Sequence, residues 1–518
     1  MGGYMLLYRG SLKSCNYHCS YCPFSKHPMS GRELETDQNQ WLSFLNGLEK
    51  YGTSMGIGAL MVVPYGEALI HSWYLEGLAQ VSSLSEIDAV GAQTNLSFPV
   101  QELLACFQRK GGDVKKLRLW ATFHPEMVTV SEFVKKCRAL METGAKLCAG
   151  AVGAPENIGL LRQLREELPR EIYLWINKMD GLRRRYTQEE EKAFSDIDPY
   201  FFRELIPVPA DPAKCQGRLL VEGNGKIHTC NISREMGSSR MEWEKAFFPA
   251  PLCRNKRCSC FLAYGGRNDF LNKMLFGEYP LFRIPRHPKA VFLDVEGTLL
   301  IGKGIPKELS AHGGRRLPLE EKKECPPDIL AGLEALYREK TWLLFATTLP
   351  YQEAMKRCGR IWHLFRGGIF AGGAHLVLEE NEGKKDSKRV YFHFLEGPWH
   401  EWLEPLKQKF SFRLFTYKRD GRLYKITLFR PSLRPWNGRE AGELFAAVPD
   451  TGREKARYLI EGNCMQIVPA KADKAEGVKT ICKWLGISVR ETFAAGDSKE
   501  DEGMVRLCGG EFGGIYAK

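Results

Sequence analysis

Short apolar segments that alternate with helical stretches are the feature of this sequence that most limits its fold. Between residues 50 and 205 these segments predict buried strands, because they are short, apolar and close to turn signals. A helix with one apolar face is predicted over residues 131–144. Repeated strand–helix units predict a parallel sheet or barrel whose functional residues lie at the carboxyl ends of the strands. The predicted strands are residues 59–63, 117–122, 146–152 and 171–176.

The composition is typical of a folded protein with more than one domain. The chain has 518 residues, of which 44% are hydrophobic and 26% are charged, and this length favours two or three domains. No apolar run approaches the roughly 18 residues that span a bilayer, and the first residues lack the pattern of a secretory signal. We therefore expect a cytoplasmic protein that is not embedded in a membrane.

The net charge of +12 is spread thinly along the chain. Residues 1–285 carry 35 basic and 31 acidic side chains, and residues 286–518 carry 39 and 31. A positive balance favours anionic ligands such as phosphates, but neither half contains a long basic run. Binding of nucleic acid is therefore an alternative that we do not favour.

Three cysteines lie close together near the N-terminus. Cys15, Cys19 and Cys22 form a Cys-x3-Cys-x2-Cys pattern, and three thiolates at this spacing can face one iron–sulfur centre. Zinc is the weaker alternative, with His18 as a local fourth ligand, because zinc sites usually gather four ligands in two separated pairs. The pattern therefore predicts an iron–sulfur site.

This pattern resembles the signature of the radical S-adenosylmethionine superfamily, in which an aromatic residue often precedes the last cysteine. The segment 63–68 also resembles the Gly-Gly-Glu-Pro motif of that family, with Tyr65 in place of the first Gly and Ala68 in place of Pro. The resemblance implies a 4Fe-4S cluster that binds S-adenosylmethionine, and a 5′-deoxyadenosyl radical that abstracts hydrogen from a substrate. The residues that it assigns to cofactor binding are Tyr21, Gly66, Glu67, Thr94, Asn95 and Val152.

A second, looser group of cysteines follows. The first two flank a predicted hairpin with a turn at residues 222–225, which brings both to one end of the hairpin. The group resembles the SPASM or twitch extension of radical S-adenosylmethionine enzymes. The resemblance implies one auxiliary 4Fe-4S cluster held by four of the five cysteines, and a zinc ribbon is the alternative. The five cysteines are Cys215, Cys230, Cys253, Cys258 and Cys260.

Beyond a proline-rich linker, carboxylates follow a buried strand that begins at Ala290. Asp294 and Glu296 lie two residues apart and therefore on the same face, and Gly297 lets the chain turn away. An aspartate can attack phosphorus, and a second acid can protonate the leaving group and then activate water. A later strand ends in hydroxyls at Thr347.

Another strand precedes two further carboxylates, Asp497 and Asp501, which are suited to Mg²⁺. Lys474 begins a helix before that strand, and a lysine near several carboxylates and a phosphate offsets their repulsion. These four motifs, in this order, resemble the haloacid dehalogenase superfamily of phosphatases over residues 288–518. The segment 367–379 resembles the region that precedes the α/β cap of the Cof-like, C2-capped subgroup.

The resemblance implies a role for each of these residues. Asp294 would be the nucleophile, Glu296 the general acid and base, and Thr347 the phosphate donor. Lys474 would be the charge clamp, and Mg²⁺ would be held by Asp294, the backbone carbonyl of Glu296, Asp497 and Asp501. The family usually has Asp where this chain has Glu296, which is one methylene longer, so slow turnover or a phosphate-binding role stays open.

These motifs predict an α/β protein whose parts follow one another along the chain. A partial, TIM-like (β/α)6 barrel is expected first, then a small cysteine-rich segment and a linker, and finally a Rossmann-like core with an α+β cap. The predicted bounds are 1–205 for the barrel, 206–280 for the auxiliary segment, 281–289 for the linker, 290–379 with 464–518 for the core, and 380–463 for the cap.

The leading functional hypothesis is a bifunctional enzyme. One half would carry out radical chemistry on a small, phosphorylated substrate with electrons from a donor such as flavodoxin or ferredoxin. The other half would hydrolyse a phosphate ester with Mg²⁺. In the alternative hypothesis, the radical half modifies a nucleotide, RNA or peptide, and the second half binds phosphate or is weakly active.

Overall fold

The computed structural model divides the chain into two compact units, Met1–Arg286 and His287–Lys518. The boundary falls inside the predicted linker. Cys253 lies outside the residues that the structure describes. Those residues are 3–22, 27–205, 208–210, 215, 217–233, 235–238, 255–258, 260–267, 270–301, 324–379, 388–431, 434–508 and 514–516.

The first unit is built around a largely parallel sheet. The strands of this sheet are β1 (Tyr4–Arg9), β2 (Ile57–Val62), β3 (Ala89–Thr94), β4 (Leu117–Phe123), β5 (Lys146–Gly153), β6 (Leu174–Lys178), β8 (Arg218–Glu222), β9 (Lys226–His228) and β10 (Glu235–Ser238). Strands β7 (Val208–Pro209) and β11 (Arg257–Cys258) pair with each other in a separate sheet. Strands β1 to β6 pair in chain order and are parallel to one another. Their carboxyl ends therefore meet at one edge of the sheet.

A helix follows each of strands β1 to β6. The helices of this unit are α1 (Gly31–Tyr51), α2 (Ser72–Ser82), α3 (Val100–Arg109), α4 (Val130–Glu142), α5 (Ile158–Glu167), α6 (Gln188–Ile197), α7 (Phe202–Leu205), α8 (Phe261–Tyr264) and α9 (Phe270–Phe276). Helices α1, α4 and α6 each begin with a capping box, in which a Ser or Thr and a Glu three residues later bond each other's backbone N–H groups. Every residue of β2 is buried, as expected for a parallel strand that is covered on both faces.

The predicted hairpin extends this sheet on its other side. Strand β8 pairs in parallel with β1, and β9 turns back along β8 in antiparallel. Gly225 adopts a φ of +87° in the turn, a conformation that favours glycine. Cys215 precedes β8 and Cys230 follows β9, so both cysteines lie at the same end of the hairpin.

The second unit contains two sheets. Its strands are β12 (Ala290–Leu293), β13 (Trp342–Ala346), β14 (Gly367–Phe370), β15 (His375–Glu379), β16 (Lys388–Phe392), β17 (Arg413–Arg419), β18 (Arg422–Phe429), β19 (Ala456–Glu461), β20 (Cys464–Pro469), β21 (Thr492–Gly496) and β22 (Gly514–Tyr516). The core sheet has the order β16-β15-β14-β13-β12-β21-β22, and β12 lies parallel between β13 and β21. The cap sheet has the order β17-β18-β20-β19.

Helices accompany both sheets of this unit. They are α10 (Pro327–Arg338), α11 (Tyr351–Arg357), α12 (Trp399–Leu403), α13 (Lys407–Phe410), α14 (Gly438–Ala446), α15 (Asp450–Arg453), α16 (Lys474–Leu485) and α17 (Glu502–Leu507). Val478, Ile481 and Cys482 of α16 pack into the buried cluster of the core sheet.

The structure confirms the mixed α/β class and the parallel sheets. The predicted strands and the helix over residues 131–144 are present, with ends that differ by one to three residues. The cap sheet contains β20, which lies between β18 and β19 and pairs with both. The cap therefore continues beyond residue 463, its predicted end. Strand β16 pairs with β15 in the core sheet, so that sheet continues beyond residue 379. No helix in the described part of the chain is long and apolar enough to cross a membrane.

Replacing Leu6 with alanine should lower the free energy of unfolding of the first unit by about 2–5 kcal/mol. Leu6 is fully buried in β1, which pairs with both β2 and β8. Native-state hydrogen exchange of β1 and β2 peptides measures the change. The control Leu160→Ala removes a side chain that is 41% exposed, and it should change stability by no more than about 0.5 kcal/mol. Equal protection in the two variants would contradict the central position of β1.

Candidate functional site

Three carboxylates meet at the carboxyl ends of β12 and β21. Asp294 follows β12 directly, and Asp497 and Asp501 follow β21, which is its parallel neighbour. One oxygen from each carboxylate lies within 4.8 Å of the others. Carboxylate oxygens are ligands that Mg²⁺ prefers, so the donor set fits this ion.

Lys474 lies between two of these carboxylates. Its Nζ donates hydrogen bonds to Asp294 Oδ1 at 2.8 Å and to Asp501 Oδ1 at 2.5 Å. The residue begins α16, whose first turn is capped by the side chain of Asp473. Burial lowers the pKa of Lys474, but the two carboxylates outweigh burial and hold that pKa above its usual value. Lys474 is therefore a buried, charged ammonium group.

Burial dominates the titration of Asp294. It raises the pKa of that carboxyl to about 7, with Lys474 opposing the shift and Asp501 adding to it. The other oxygen of Asp501 accepts hydrogen bonds from the backbone N–H and the hydroxyl of Ser498, at 3.0 and 2.6 Å. Asp501 is thus fixed from both sides and positions Lys474 against Asp294.

Two glycines allow the chain to approach the carboxylates closely. Gly297 has a φ of +81°, and a Cβ atom there would lie 2.1 Å from Asp497 Oδ2. A Cβ atom at Gly496 would lie 2.2 Å from Cγ of Asp501. Any larger residue at these positions would displace a carboxylate.

The remaining predicted residues of this unit, Thr347 and Glu296, follow β13 and β12 and therefore lie at the same edge of the core sheet. Thr347 follows β13 and is buried, and its Oγ1 accepts a hydrogen bond from the backbone N–H of Leu349 at 3.1 Å. Glu296 Oε1 accepts a hydrogen bond from Arg357 Nη1 at 2.5 Å. The sequence analysis missed Arg357, whose side chain is half exposed and lies at the end of α11.

In the first unit, a cavity of about 730 Å³ lies where the parallel strands end. All three N-terminal cysteines line it, together with Gly66, Glu67, Thr94, Asn95 and Val152. Tyr21 does not line the cavity, but its hydroxyl lies 2.9 Å from Nδ1 of His124, which does. The predicted cofactor residues are therefore near one another.

Glu67 joins the ends of β2 and β3. Its carboxylate accepts hydrogen bonds from Thr94 Oγ1 at 2.8 Å, from the backbone N–H of Asn95 at 2.6 Å and from that of Leu69 at 3.0 Å. Burial raises its pKa to about 7, although these hydrogen bonds favour the charged form. Gly66 lets this loop contact the cysteine segment, since a Cβ atom there would lie 1.9 Å from the carbonyl oxygen of Ser14.

Polar groups surround the N-terminal thiols. Asn95 Nδ2 lies 3.7 Å from Cys15 Sγ, and His124 Nδ1 lies 3.3 Å from Cys19 Sγ. The pKa of His124 falls to about 4 because the ring is buried. His124 follows the end of β4, so the strand-end rule could have identified it from the sequence.

Cysteines of the second group reach the same cavity. Cys258 and Cys260 line it. Cys215 and Cys230 flank the hairpin in the sequence, and both are buried. Asn231 Nδ2 donates to Cys260 Sγ at 3.1 Å, and Asn231 Oδ1 accepts a hydrogen bond from Arg9.

Tyr65, one of the two departures from the motif that segment 63–68 resembles, takes part in the same network. The guanidinium of Arg9 lies 4.5 Å above its ring, and Arg9 Nη1 is 3.1 Å from the Tyr65 hydroxyl. A hydrogen-bonded path thus connects the loop after β2 with Cys260.

Comparison with known proteins identifies part of the second unit. Residues 410–512 match the family model of haloacid dehalogenase-like hydrolases. The second unit therefore contains a haloacid dehalogenase-like hydrolase domain. No curated protein sequence matches the chain.

Several solved structures resemble a part of the chain. A haloacid dehalogenase-like hydrolase from Bacteroides thetaiotaomicron is 15% identical, with 43% of this chain and 86% of that chain covered and a TM-score of 0.33. A subclass IIB sugar phosphatase of the same superfamily is 15% identical, with 44% and 86% covered and a TM-score of 0.34. A haloacid dehalogenase-like hydrolase from B. subtilis is 16% identical, with 44% and 88% covered and a TM-score of 0.31.

The substitution Gly297→Ala should weaken Mg²⁺ binding by about 10- to 100-fold, because the new Cβ atom displaces the carboxylate of Asp497. Isothermal titration with Mg²⁺ measures this loss. Gly421→Ala is the matched control, since Gly421 also has a positive φ (+75°) but open space around its Cα. Wild-type affinity in Gly297→Ala would show that Asp497 does not hold the ion.

Proposed function

We propose that the second unit is a Mg²⁺-dependent phosphohydrolase. The observation that carries this proposal is the buried ammonium of Lys474, which bonds Asp294 and Asp501 beside the carboxylate of Asp497. When bound, Mg²⁺ supplies positive charge that neutralises phosphate oxygens. Lys474 adds a second positive charge on the side of Asp294, and Thr347 offers a hydroxyl donor.

The chain's own residues supply a two-step route. Asp294 attacks phosphorus, the bond to the leaving oxygen breaks, and Glu296 donates a proton to that oxygen. Water then attacks the phosphorus of the aspartyl phosphate and gives a proton to Glu296. The bond between phosphorus and the Asp294 oxygen breaks, so phosphate leaves and the Asp294 carboxylate is restored. Arg357 holds the ionised form of Glu296 that the second step requires. Because Arg357 is half exposed, its ion pair with Glu296 can open for the first step.

Asp294→Asn should lower phosphate release at least about 100-fold across a panel of phosphate esters, because the nucleophile is lost. Glu296→Gln should lower it similarly, and Glu296→Asp should retain activity because it keeps an acid at this position. Malachite-green detection of phosphate measures each rate. Tight binding of esters without release, unaffected by Glu296→Asp, would instead support a phosphate-binding module.

For the first unit we propose a radical S-adenosylmethionine enzyme with an auxiliary cluster. The support is that the cavity gathers Cys15, Cys19 and Cys22 with the loop of Glu67 and the end of β3. When bound, the cluster and S-adenosylmethionine supply a 5′-deoxyadenosyl radical. Glu67 orders the loop that faces the cofactor, and the buried cavity walls limit the access of water.

The auxiliary cluster of this proposal would be held by four of the five cysteines named in the sequence. Its support is that Cys258 and Cys260 face the same cavity as the N-terminal cysteines. A cluster there would lie close enough to exchange an electron with a substrate in the cavity. Flavodoxin or ferredoxin would deliver the electron for cofactor cleavage. With both units active, the protein is a bifunctional enzyme that acts on a small, phosphorylated substrate.

Anaerobically reconstituted protein should form 5′-deoxyadenosine from S-adenosylmethionine and a strong reductant, whereas Cys15→Ala should form none. The iron content of the Cys15→Ala variant should be lower than that of the wild type by the equivalent of one four-iron cluster. Chromatography of the nucleoside and iron analysis measure both effects. Cys106→Ala, a buried cysteine of α3 outside both groups, is the control and should behave as wild type. Zinc in place of iron, with no visible absorption, would contradict this proposal.

A further inference from the structure

Lys425 is a buried cation that the proposed reaction does not use. It lies on β18 of the cap sheet and is 2% exposed. Its Nζ donates a hydrogen bond to the carbonyl oxygen of Thr348 at 2.5 Å. Among the described residues this ammonium group forms no salt bridge, and it lies 5.6 Å from the centroid of the Tyr417 ring. A buried charge without an ionic partner is costly, so its presence calls for an explanation.

The carboxylates near Lys425 are bonded to other donors. Glu461 accepts hydrogen bonds from Thr348 Oγ1 at 2.9 Å and from Gln466 Nε2 at 2.7 Å. Glu353 accepts one from the Tyr417 hydroxyl at 3.0 Å. Both carboxylates favour the charged form of Lys425, and Arg357 disfavours it. Because burial is the largest effect, the pKa of Lys425 falls to about 8.

The position of Lys425 relates it to the leaving group of the proposed reaction. Thr348 directly follows Thr347, the proposed phosphate donor. Arg357, which acts electrostatically on Lys425, bonds Glu296, the group that would protonate the leaving oxygen. A leaving group that Glu296 protonates would extend toward the residues around Arg357 and Thr348, where the cap contributes Lys425.

A second buried polar group in this cluster lacks a partner. Gln466 of β20 is 5% exposed, and its Oε1 has no hydrogen-bond partner among the described residues. Its Nε2 bonds Glu461, which connects it to Thr348. An unmatched buried acceptor near a buried ammonium group that donates one hydrogen bond is the arrangement expected where a polar ligand completes the hydrogen bonding.

We propose that Lys425 and Gln466 bind the leaving group of the substrate, and that this leaving group carries a hydroxyl and a second anionic group, a carboxylate or a phosphate. The ammonium of Lys425 recognises the anion, and Gln466 accepts a hydrogen bond from the hydroxyl. This inference rests on the proposed phosphohydrolase function, because that function defines the direction of the leaving group.

Three matched esters test the inference: glycerol 3-phosphate, 3-phosphoglycerate and glycerol 1,3-bisphosphate. They differ at one carbon, which carries a hydroxyl, a carboxylate or a phosphate. Binding is measured by calorimetry with full-length Asp294→Asn protein and Mg²⁺, so that turnover does not interfere. The two anionic esters should bind about 10- to 100-fold more tightly than glycerol 3-phosphate, as expected for one charge-assisted hydrogen bond.

Adding Lys425→Met should remove this preference and leave the affinity for glycerol 3-phosphate within about 3-fold, whereas Lys425→Arg should retain part of it. Lys418→Met, an exposed lysine of β17, is the control. Because Lys425→Met also removes the hydrogen bond to the Thr348 carbonyl, the melting temperature of each variant is measured beside its affinity.

Equal affinity for the three esters would overturn the inference. A loss of affinity common to all of them in Lys425→Met would indicate that Lys425 only joins cap and core. Preferential binding of the anionic esters without phosphate release by the wild type would support the inference while contradicting the hydrolysis.

Discussion

A buried ammonium group between two carboxylates determines how the second unit is arranged at its site. Lys474, Asp294 and Asp501 come from distant parts of the chain and are all largely removed from water. Removing one partner of such a buried set typically costs about 3–5 kcal/mol, because the remaining charge has no compensation. Strands β12 and β21 and helix α16 bring these three charges together. Because each charge needs the others, the charges favour this arrangement of the three elements.

The site of the first unit depends on a related constraint. There the buried carboxylate of Glu67 accepts hydrogen bonds from Thr94 and Asn95 at the end of β3. These hydrogen bonds fix the loop that faces the cysteines. In both units, parallel strands place polar groups from separate segments at one edge of the sheet. The two units thus use the same principle to build sites of different chemistry, one of carboxylates and one of thiols.

The sequence predicted those features that depend on local pattern. Strands, the helix that begins at Lys474 and the residues at strand ends could be identified because apolar periodicity and turn residues act over a few positions. Arg357 and Lys425 were missed because their partners, Glu296 and Thr348, are 61 and 77 residues away. The role of Tyr65 was also hidden, since it depends on Arg9 and Asn231, which the fold alone brings together.

The proposed hydrolysis requires that the buried set around Lys474 makes Asp294 a nucleophile toward phosphorus. Acid-quenched reaction of the full-length protein with radiolabelled acetyl phosphate and Mg²⁺, followed by peptide mapping, tests this requirement. We expect covalent label on the peptide that contains Asp294 and none when Lys474 is replaced by methionine. Phosphate release without label, or label on another residue, would contradict it.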